Sequence, residues 1–436
     1  MGVSAPGPGT AAKPTAAGRL RPWRFVLLFG VVSLLADFVY EGARSVTGPL
    51  LASLGASAAV VGVVTGVGEA AALLPRLLSG PLAERTGRFW AWTIAGYALT
   101  VAAVPLLGLA GVLWAACTLV IAERIGKAVR SPAKDTLLSH ATAITGRGRG
   151  FAVHEAMDQL GALAGPLLVA AMLAAGSGYG PALGVLAVPG LVALAVLLWL
   201  RTRVPDPAGY ETPTRYESPA GRESSAGHGA PAVPAPRAVP GMTASHAVPG
   251  TAAPRTRLPR AFWVYAGFTA ATTTGFATFG VLSFHAVTRG LLSATTVPVL
   301  YSAAMGVDAL AALATGWAYD RLGPRVLAVL PLLAATVPAL AFTNTLALVV
   351  AGALVWGAAT GVQESTLRAT VADLVPPGRR ASAYGIFAGV VGAATAAGGG
   401  LAGALYDASI PALITVTAGI QAAALLLFAA SRHTRT

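Results

Sequence analysis

The chain has 436 residues, of which 55% are hydrophobic and only 11% charged, where a soluble domain carries about 25% charged residues. That composition excludes a string of soluble domains, because the apolar residues fall in long blocks. The formal charge of +13 would suit a nucleic-acid binder, but the basic residues gather on one side of those blocks, which excludes nucleic acid as a partner.

In chain order, twelve apolar segments are predicted as transmembrane helices: 25–44, 57–82, 90–109, 111–131, 151–175, 180–200, 261–286, 296–318, 326–343, 346–367, 383–404 and 409–430. Most approach the ~20 residues that cross a ~30 Å hydrocarbon layer. None shows the alternation of a membrane β-barrel, and backbone pairing within the layer then requires helix. The first apolar run leads straight into a full span, so no cleavable leader is predicted ahead of it, only a disordered tail over 1–24. Residues 202–260 hold eleven of the thirty prolines and no apolar run. They are predicted as a disordered cytoplasmic linker between a six-helix bundle over 25–201 and another over 261–431, with a short tail at 432–436.

With the N-terminus inside, Lys13, Arg19, Arg21, Arg24, Arg85, Arg88, Lys134, Arg147, Arg149, Arg201, Arg203, Arg321 and Arg325 lie inside, whereas only Arg44 and Arg289 lie outside. This predicts both termini in the cytoplasm. The single cysteine, Cys117, excludes an intramolecular disulfide framework. Three lysines among thirty basic residues, with abundant alanine, suit a GC-rich bacterial genome and hence a bacterial cytoplasmic membrane.

The two halves repeat each other. Gly80-Pro-Leu-Ala-Glu84-Arg85-Thr-Gly87-Arg88 recurs as Gly316-Trp-Ala-Tyr-Asp320-Arg321-Leu-Gly323-Pro-Arg325, each after the second span of its half. Arg130-Ser-Pro-Ala-Lys-Asp135 is matched by Arg368-Ala-Thr-Val-Ala-Asp373. Parallel repeats of this kind are a recognised transporter design, with the substrate site between them near mid-membrane. The loop at Gly80 resembles the signature of the major facilitator superfamily, Gly-x-Leu-Ala-Asp-Arg-x-Gly-Arg-Arg/Lys. Glu84 stands for its aspartate and Phe89 for its last basic residue. The resemblance implies an all-α fold of two six-helix bundles, no enzymatic activity, no cofactor and a small-molecule substrate. It also implies a gate in which Glu84 locks the inner ends of the bundles, with Arg130 and the start of span eleven near Ser382 as partners and Asp320 as its weaker counterpart. Gly161-Ala-Leu-Ala-Gly165-Pro166 is similar to the antiporter motif of drug/proton exchangers. Small residues at that spacing also let helices pack closely.

Charges within spans are costly, at ~2.5–3.5 kcal/mol each near the bilayer centre, and mark function by default. Asp37, Glu41 and Arg44 share one face of span one. The carboxylates read either as a protonatable pair or, for Glu41, as a salt bridge to Arg44. Glu123 and Arg124 in span four read either as substrate or gate residues or as an end-of-helix charge network. Lys127 and Arg130 beside them read as snorkelling to the interface. Glu123 and Asp308 add further proton candidates. Tyr40 and the Glu364/Arg368 pair complete the expected cavity. Glu69 and Arg76 are expected among contacts between the bundles. His154-Glu155-Ala-Met-Asp158 departs from the zinc pattern His-Glu-x-x-His at its second ligand, so neither a metal nor a membrane-embedded metalloenzyme is favoured, and no phosphate-binding loop is present. The expectation is a monomeric, proton-coupled secondary transporter exporting a hydrophobic or amphiphilic molecule, with symport or facilitated passage of a sugar or metabolite as the alternative.

Overall fold

A backbone inside hydrocarbon has no water to bond, so each N–H and C=O must pair within its segment or with buried protein. The structure, a computed structural model, meets that demand with helices. It describes residues 20–145, 147–210, 258–375 and 380–433. Among the described residues there are fifteen α-helices and no strand. The expected N-terminal tail before residue 20 and the Pro-rich segment over 211–257 lie outside them.

The first half of the chain contains α1 (Pro22–Ser53), α2 (Ala58–Leu73), α3 (Arg76–Thr86), α4 (Phe89–Gly108), α5 (Leu113–Thr145), α6 (Arg147–Ala174), α7 (Tyr179–Gly184) and α8 (Ala187–Arg203). The second half contains α9 (Arg260–Thr274), α10 (Phe279–Thr288), α11 (Val297–Leu322), α12 (Val329–Ala341), α13 (Leu346–Leu374), α14 (Arg380–Ala408) and α15 (Ile410–His433). Phe25, Phe29, Trp90 and Leu197 are buried together in the first half, and Phe262, Phe268, Leu330 and Phe428 in the second.

Nine stretches are long and apolar enough to cross a membrane among the described residues. Three features account for the distance from twelve. α5 carries Glu123, Arg124, Lys127 and Arg130 around its middle and is too charged to qualify. α11 and α12 run together as one stretch of 45 residues, which is about 67 Å of helix at ~1.5 Å per residue and far more than one crossing. The expected span 261–286 is interrupted between Thr274 and Phe279. That break is satisfied by protein: the Ala277 carbonyl accepts from the Trp356 indole at 3.0 Å, and Thr278 meets Thr65 at 2.8 Å. Broken helices are tolerated at depth under that condition.

The start of the expected linker is ordered. Helix α8 runs to Arg203, and a 3-10 turn follows at Pro207–Tyr210. Tyr210 lies against Phe25 and donates to the Leu20 carbonyl at 2.8 Å. An aromatic ring able to cover Phe25 overrides the polar composition around it.

The repeated motif has a backbone reason. Gly87 ends α3 at φ 62°, and Gly323 ends α11 at φ 63°. Each copy closes its helix with a residue in the region that favours glycine. Gly80 packs against Pro132, Glu84, Arg85, Arg88 and Asp320 are exposed, and the Arg321 guanidinium lies 3.8 Å from the Trp317 ring centre.

The two halves meet along α2 and α14. A Cβ on Gly62 would strike the Gly399 carbonyl, and one on Gly403 the Ala58 carbonyl, so backbones are in contact along this seam. Overpacking a tight contact costs typically 1–3 kcal/mol. Gly399→Leu is expected to lower the melting temperature of the purified protein, whereas Gly389→Leu, on the same helix with nothing within 4 Å of its Cβ position, leaves it nearly unchanged. Equal shifts would show that the seam yields.

Beyond the seam lies a clasp. Ser57 caps α2 by accepting from the Val60 N–H at 3.3 Å. The next two orphan donors, Ala58 N and Ala59 N, go to Oδ1 and Oδ2 of Asp407 at 3.2 and 2.8 Å. One carboxylate of the second half thus completes the N-terminus of a first-half helix, where the dipole favours an anion. Asp407→Asn should weaken this clasp by about 1–2 kcal/mol, a factor of roughly 5–30 in population. A cysteine at Thr65, in a chain whose Cys117 is replaced, should then be labelled faster. Unchanged labelling would mean that the seam alone holds this end shut.

Candidate functional site

Span one brings four polar groups to one side of α1: Asp37, Tyr40, Glu41 and Arg44, at helical spacing. Helix α5 answers with Glu123, Arg124, Lys127, Arg130 and Lys134. None of these charges is affordable alone in the layer, and the structure pairs most of them. Arg44 bonds Glu69 of α2 at 2.8 Å and Glu41 at 3.4 Å. Arg124 reaches Glu69 at 3.1 Å, Glu123 at 3.2 Å and the Tyr40 hydroxyl. The Tyr40 ring also carries two cations, Arg124 at 4.5 Å and Lys127 at 4.1 Å from its centre.

The halves join at this cluster. Tyr301 of α11 donates its hydroxyl hydrogen to Oε2 of Glu41, which is 6% exposed. Ser302 donates to the Leu163 carbonyl of α6 at 2.8 Å. Two turns along α11, on the face of Tyr301, stands Asp308, 3% exposed, whose Oδ1 has no hydrogen-bond partner among the described residues. A narrow crevice beside the cluster, with room for about one water molecule, is lined by Arg44, Thr47, Val104, Glu123 and Arg124.

A second cluster lies further along α5. Arg130 is buried, 3.7 Å from Asp37, 3.0 Å from the Thr100 hydroxyl and 4.6 Å from the Tyr97 ring centre. Lys134 stands 3.9 Å from Asp158 and 3.4 Å from Ser33. His154 lies 3.3 Å from the same Ser33 and 3.7 Å from Asp158. No third His, Cys, Asp or Glu joins His154 and Asp158 to make a three-ligand metal group among the described residues.

The expected cavity residues of the first half therefore meet, and the partnering of Arg130 and Glu69 differs from the sequence expectation. Arg130 does not snorkel: Asp37 and two aromatic or hydroxyl groups hold it inside. It points at Asp37, not at Glu84, whose other expected partner near Ser382 lies outside the described side chains. Glu69 pairs within the first half, and Arg76 donates to the Ala72 carbonyl of its own helix at 2.8 Å. Glu364 is exposed, and the side chain of Arg368 lies outside those described. Gly161 and Gly165 of α6 touch the backbone of α1: a Cβ on Gly165 would strike the Phe38 carbonyl. Pro166 sits inside α6 beside them.

Apolar helices around a charged centre, joined across the middle by a few side-chain bonds, define an integral membrane protein of the solute-transporter class. The chain belongs to the Major Facilitator Superfamily, whose model matches residues 29–307 and 286–436. It is 60% identical, over 417 residues and 95% of both chains, to an uncharacterized protein of Mycobacterium tuberculosis. It is 28% identical over 143 residues to an uncharacterized MFS-type transporter of Methanocaldococcus jannaschii, a match covering 33% of this chain and 36% of that one. Among solved structures it resembles a mutant of the nucleoside transporter NupG, with TM-score 0.71, 13% identity, and 93% of this chain and 99% of that one covered. A mutant of the peptide transporter POT in complex with sulfate matches with TM-score 0.68, 14% identity and 94% and 93% coverage. A bacterial homolog of the human lysosomal transporter Spinster, inward-facing and unoccupied, matches with TM-score 0.62, 14% identity and 97% and 96% coverage. At these identities the structural likeness is one of fold.

Proposed function

We propose that this chain is a proton-coupled secondary transporter working by alternating access, monomeric, with twelve crossings and both termini on the cytoplasmic side of a bacterial plasma membrane. In this reading the clasped end at Asp407 faces outward, and the two halves form the rocking bundles. The observation that carries the coupling is the position of Glu41, a buried carboxylate held by Arg44 of its own helix and by Tyr301 of the other half. Charge-assisted hydrogen bonds are roughly twice as strong as neutral ones. A proton arriving on Glu41 therefore weakens the bond between the halves and frees Arg44 toward Glu69. Proton binding and bundle movement are coupled through one side chain.

The efflux reading rests on Gly161 to Pro166, and the contact with α1 is a sufficient reason for those glycines. A centre lined by Glu41, Arg44, Glu69, Glu123 and Arg124 supports a cargo with charged groups of its own better than a purely hydrophobic one. The test is reconstitution in liposomes with an imposed pH gradient and a panel of charged metabolites. One proton per 100 mV supplies about 2.3 kcal/mol, enough for roughly fifty-fold accumulation. Uptake that only equilibrates under the imposed gradient, and is unchanged by a protonophore, would overturn the coupling and leave facilitated passage.

A further inference from the structure

The second polar cluster has no part in the bond between Glu41 and Tyr301. Its hub is Ser33, which precedes Glu41 on α1 by two turns, about 12 Å, on the side away from the clasped end. Three other helices bring polar atoms to the Ser33 hydroxyl: Nε2 of His154 from α6 at 3.3 Å, Nζ of Lys134 from α5 at 3.4 Å and the Tyr97 hydroxyl from α4 at 3.4 Å. An ammonium only donates, so the Ser33 oxygen accepts from Lys134 and its own hydrogen is free for Nε2. The imidazole then carries its hydrogen on Nδ1, which faces Oδ1 of Asp158 at 3.7 Å. His154 is 4% exposed, and Nδ1 and Oδ1 are both buried with no hydrogen-bond partner among the described residues. Two buried orphans aimed at each other lack one short hydrogen bond. The charges around Asp158 are Lys134 at 3.9 Å and, at longer range, Asp37 of α1, Glu155 of its own helix and Lys127 of α5. Lys134 is drawn to Asp37 as well.

We infer that Asp158 is a second proton-binding site, on the inner side of the tie, and that His154 passes the proton between it and α1; this rests on the proton-coupled reading above. Glu41, Asp37 and Ser33 follow one another at single turns along one face of α1, each within one water of the next. As a proton reaches Ser33 from Asp37, the hydroxyl gives its own hydrogen to Nε2. The imidazole gives its Nδ1 hydrogen to Oδ1, so the ring ends neutral and Asp158 becomes a carboxylic acid. Lys134, no longer facing a charge there, turns to Asp37. The Asp158 side chain is 17% exposed, and the proton leaves from it to the inner solution. A half-turn of the ring restores the hydrogen to the side of Asp158. Uptake from the inside runs the same steps in reverse.

The test follows the proton itself, by infrared spectroscopy of the full-length protein in liposomes between about pH 8 and pH 5. The wild type should gain the carbonyl bands of two buried carboxylic acids. One disappears in Asp158→Asn and returns in Asp158→Glu; the other disappears in Glu41→Gln. After a rapid drop in pH, the Glu41 band should rise at least about tenfold more slowly in His154→Gln. That amide still bonds Ser33 and Asp158 but passes no proton, so its melting temperature should stay near that of the wild type. If His154→Gln does not fold, Ser33→Ala breaks the same chain and supplies the comparison. An Asp158→Asn spectrum identical to the wild type overturns the inference and leaves the coupling at Glu41 standing. An unchanged Glu41 rate in His154→Gln or Ser33→Ala overturns the relay. An Asp158 that takes a proton beside a Glu41 that never does keeps the inner site and overturns the coupling at Glu41 instead.

Discussion

Glu41→Gln is expected to cut gradient-driven accumulation from about fifty-fold to near unity, while exchange of cargo between equal concentrations continues. The substitution keeps the shape and still accepts a hydrogen bond from Tyr301. It removes the charge that Arg44 meets at 3.4 Å and the site at which a proton can bind. The protein is then fixed near its protonated form, so the halves move but the proton gradient no longer drives them. Loss of exchange as well would point to a folding or gating defect. Retained accumulation would place the coupling elsewhere, and Asp37→Asn in the same assay identifies the nearest alternative. Asp37 belongs to the first half alone, 3.7 Å from Arg130. If Asp37→Asn abolishes accumulation and Glu41→Gln does not, the proton travels through the Asp37–Arg130 pair.

The sequence made Asp37, Glu41 and Arg44 legible because a charge in an apolar run has a large cost and must have a reason. Gly87 and Gly323 were legible too, since a motif that ends a helix keeps its glycine wherever it is repeated. What could not be read was the identity of partners. Tyr301 and Asp407 lie 260 and 349 residues from the first-half groups they bond, Glu41 and Ala58. Nothing local marks a tyrosine in an apolar helix or an aspartate at a helix end as a tie between halves. Arg130 looked like a snorkelling residue because its distance from the helix end suits one, and only the placement of Tyr97, Thr100 and Asp37 around it turns it inward. The break at Gly275 escaped for a similar reason. Its composition is that of a continuous span, and the Trp356 indole that satisfies it comes from another helix.

Arg124→Gln should be the most destabilising single change in the charged centre, whereas Lys127→Gln, one turn away, should cost markedly less. The contrast follows from their partners. Arg124 is buried and serves Glu69, Glu123 and Tyr40 together. Removing one member of a buried ion pair leaves the other charge uncompensated, at a cost of about 3–5 kcal/mol. Glu69 retains Arg44 at 2.8 Å, so Glu123, whose Oε1 already lacks a hydrogen-bond partner among the described residues, bears most of the loss. Lys127 forms no close ion pair among the described residues, and its removal forfeits a cation–π contact of about 0.5–2 kcal/mol and a longer-range attraction to Glu41 and Glu123. Denaturant titrations in detergent micelles separate the two. The double variant Arg124→Gln/Glu123→Gln should recover part of the loss, because it removes the stranded charge along with its partner. If Arg124→Gln and Lys127→Gln cost the same, or the double variant is no better than Arg124→Gln, the pairing of Arg124 with Glu123 does not stabilise this protein.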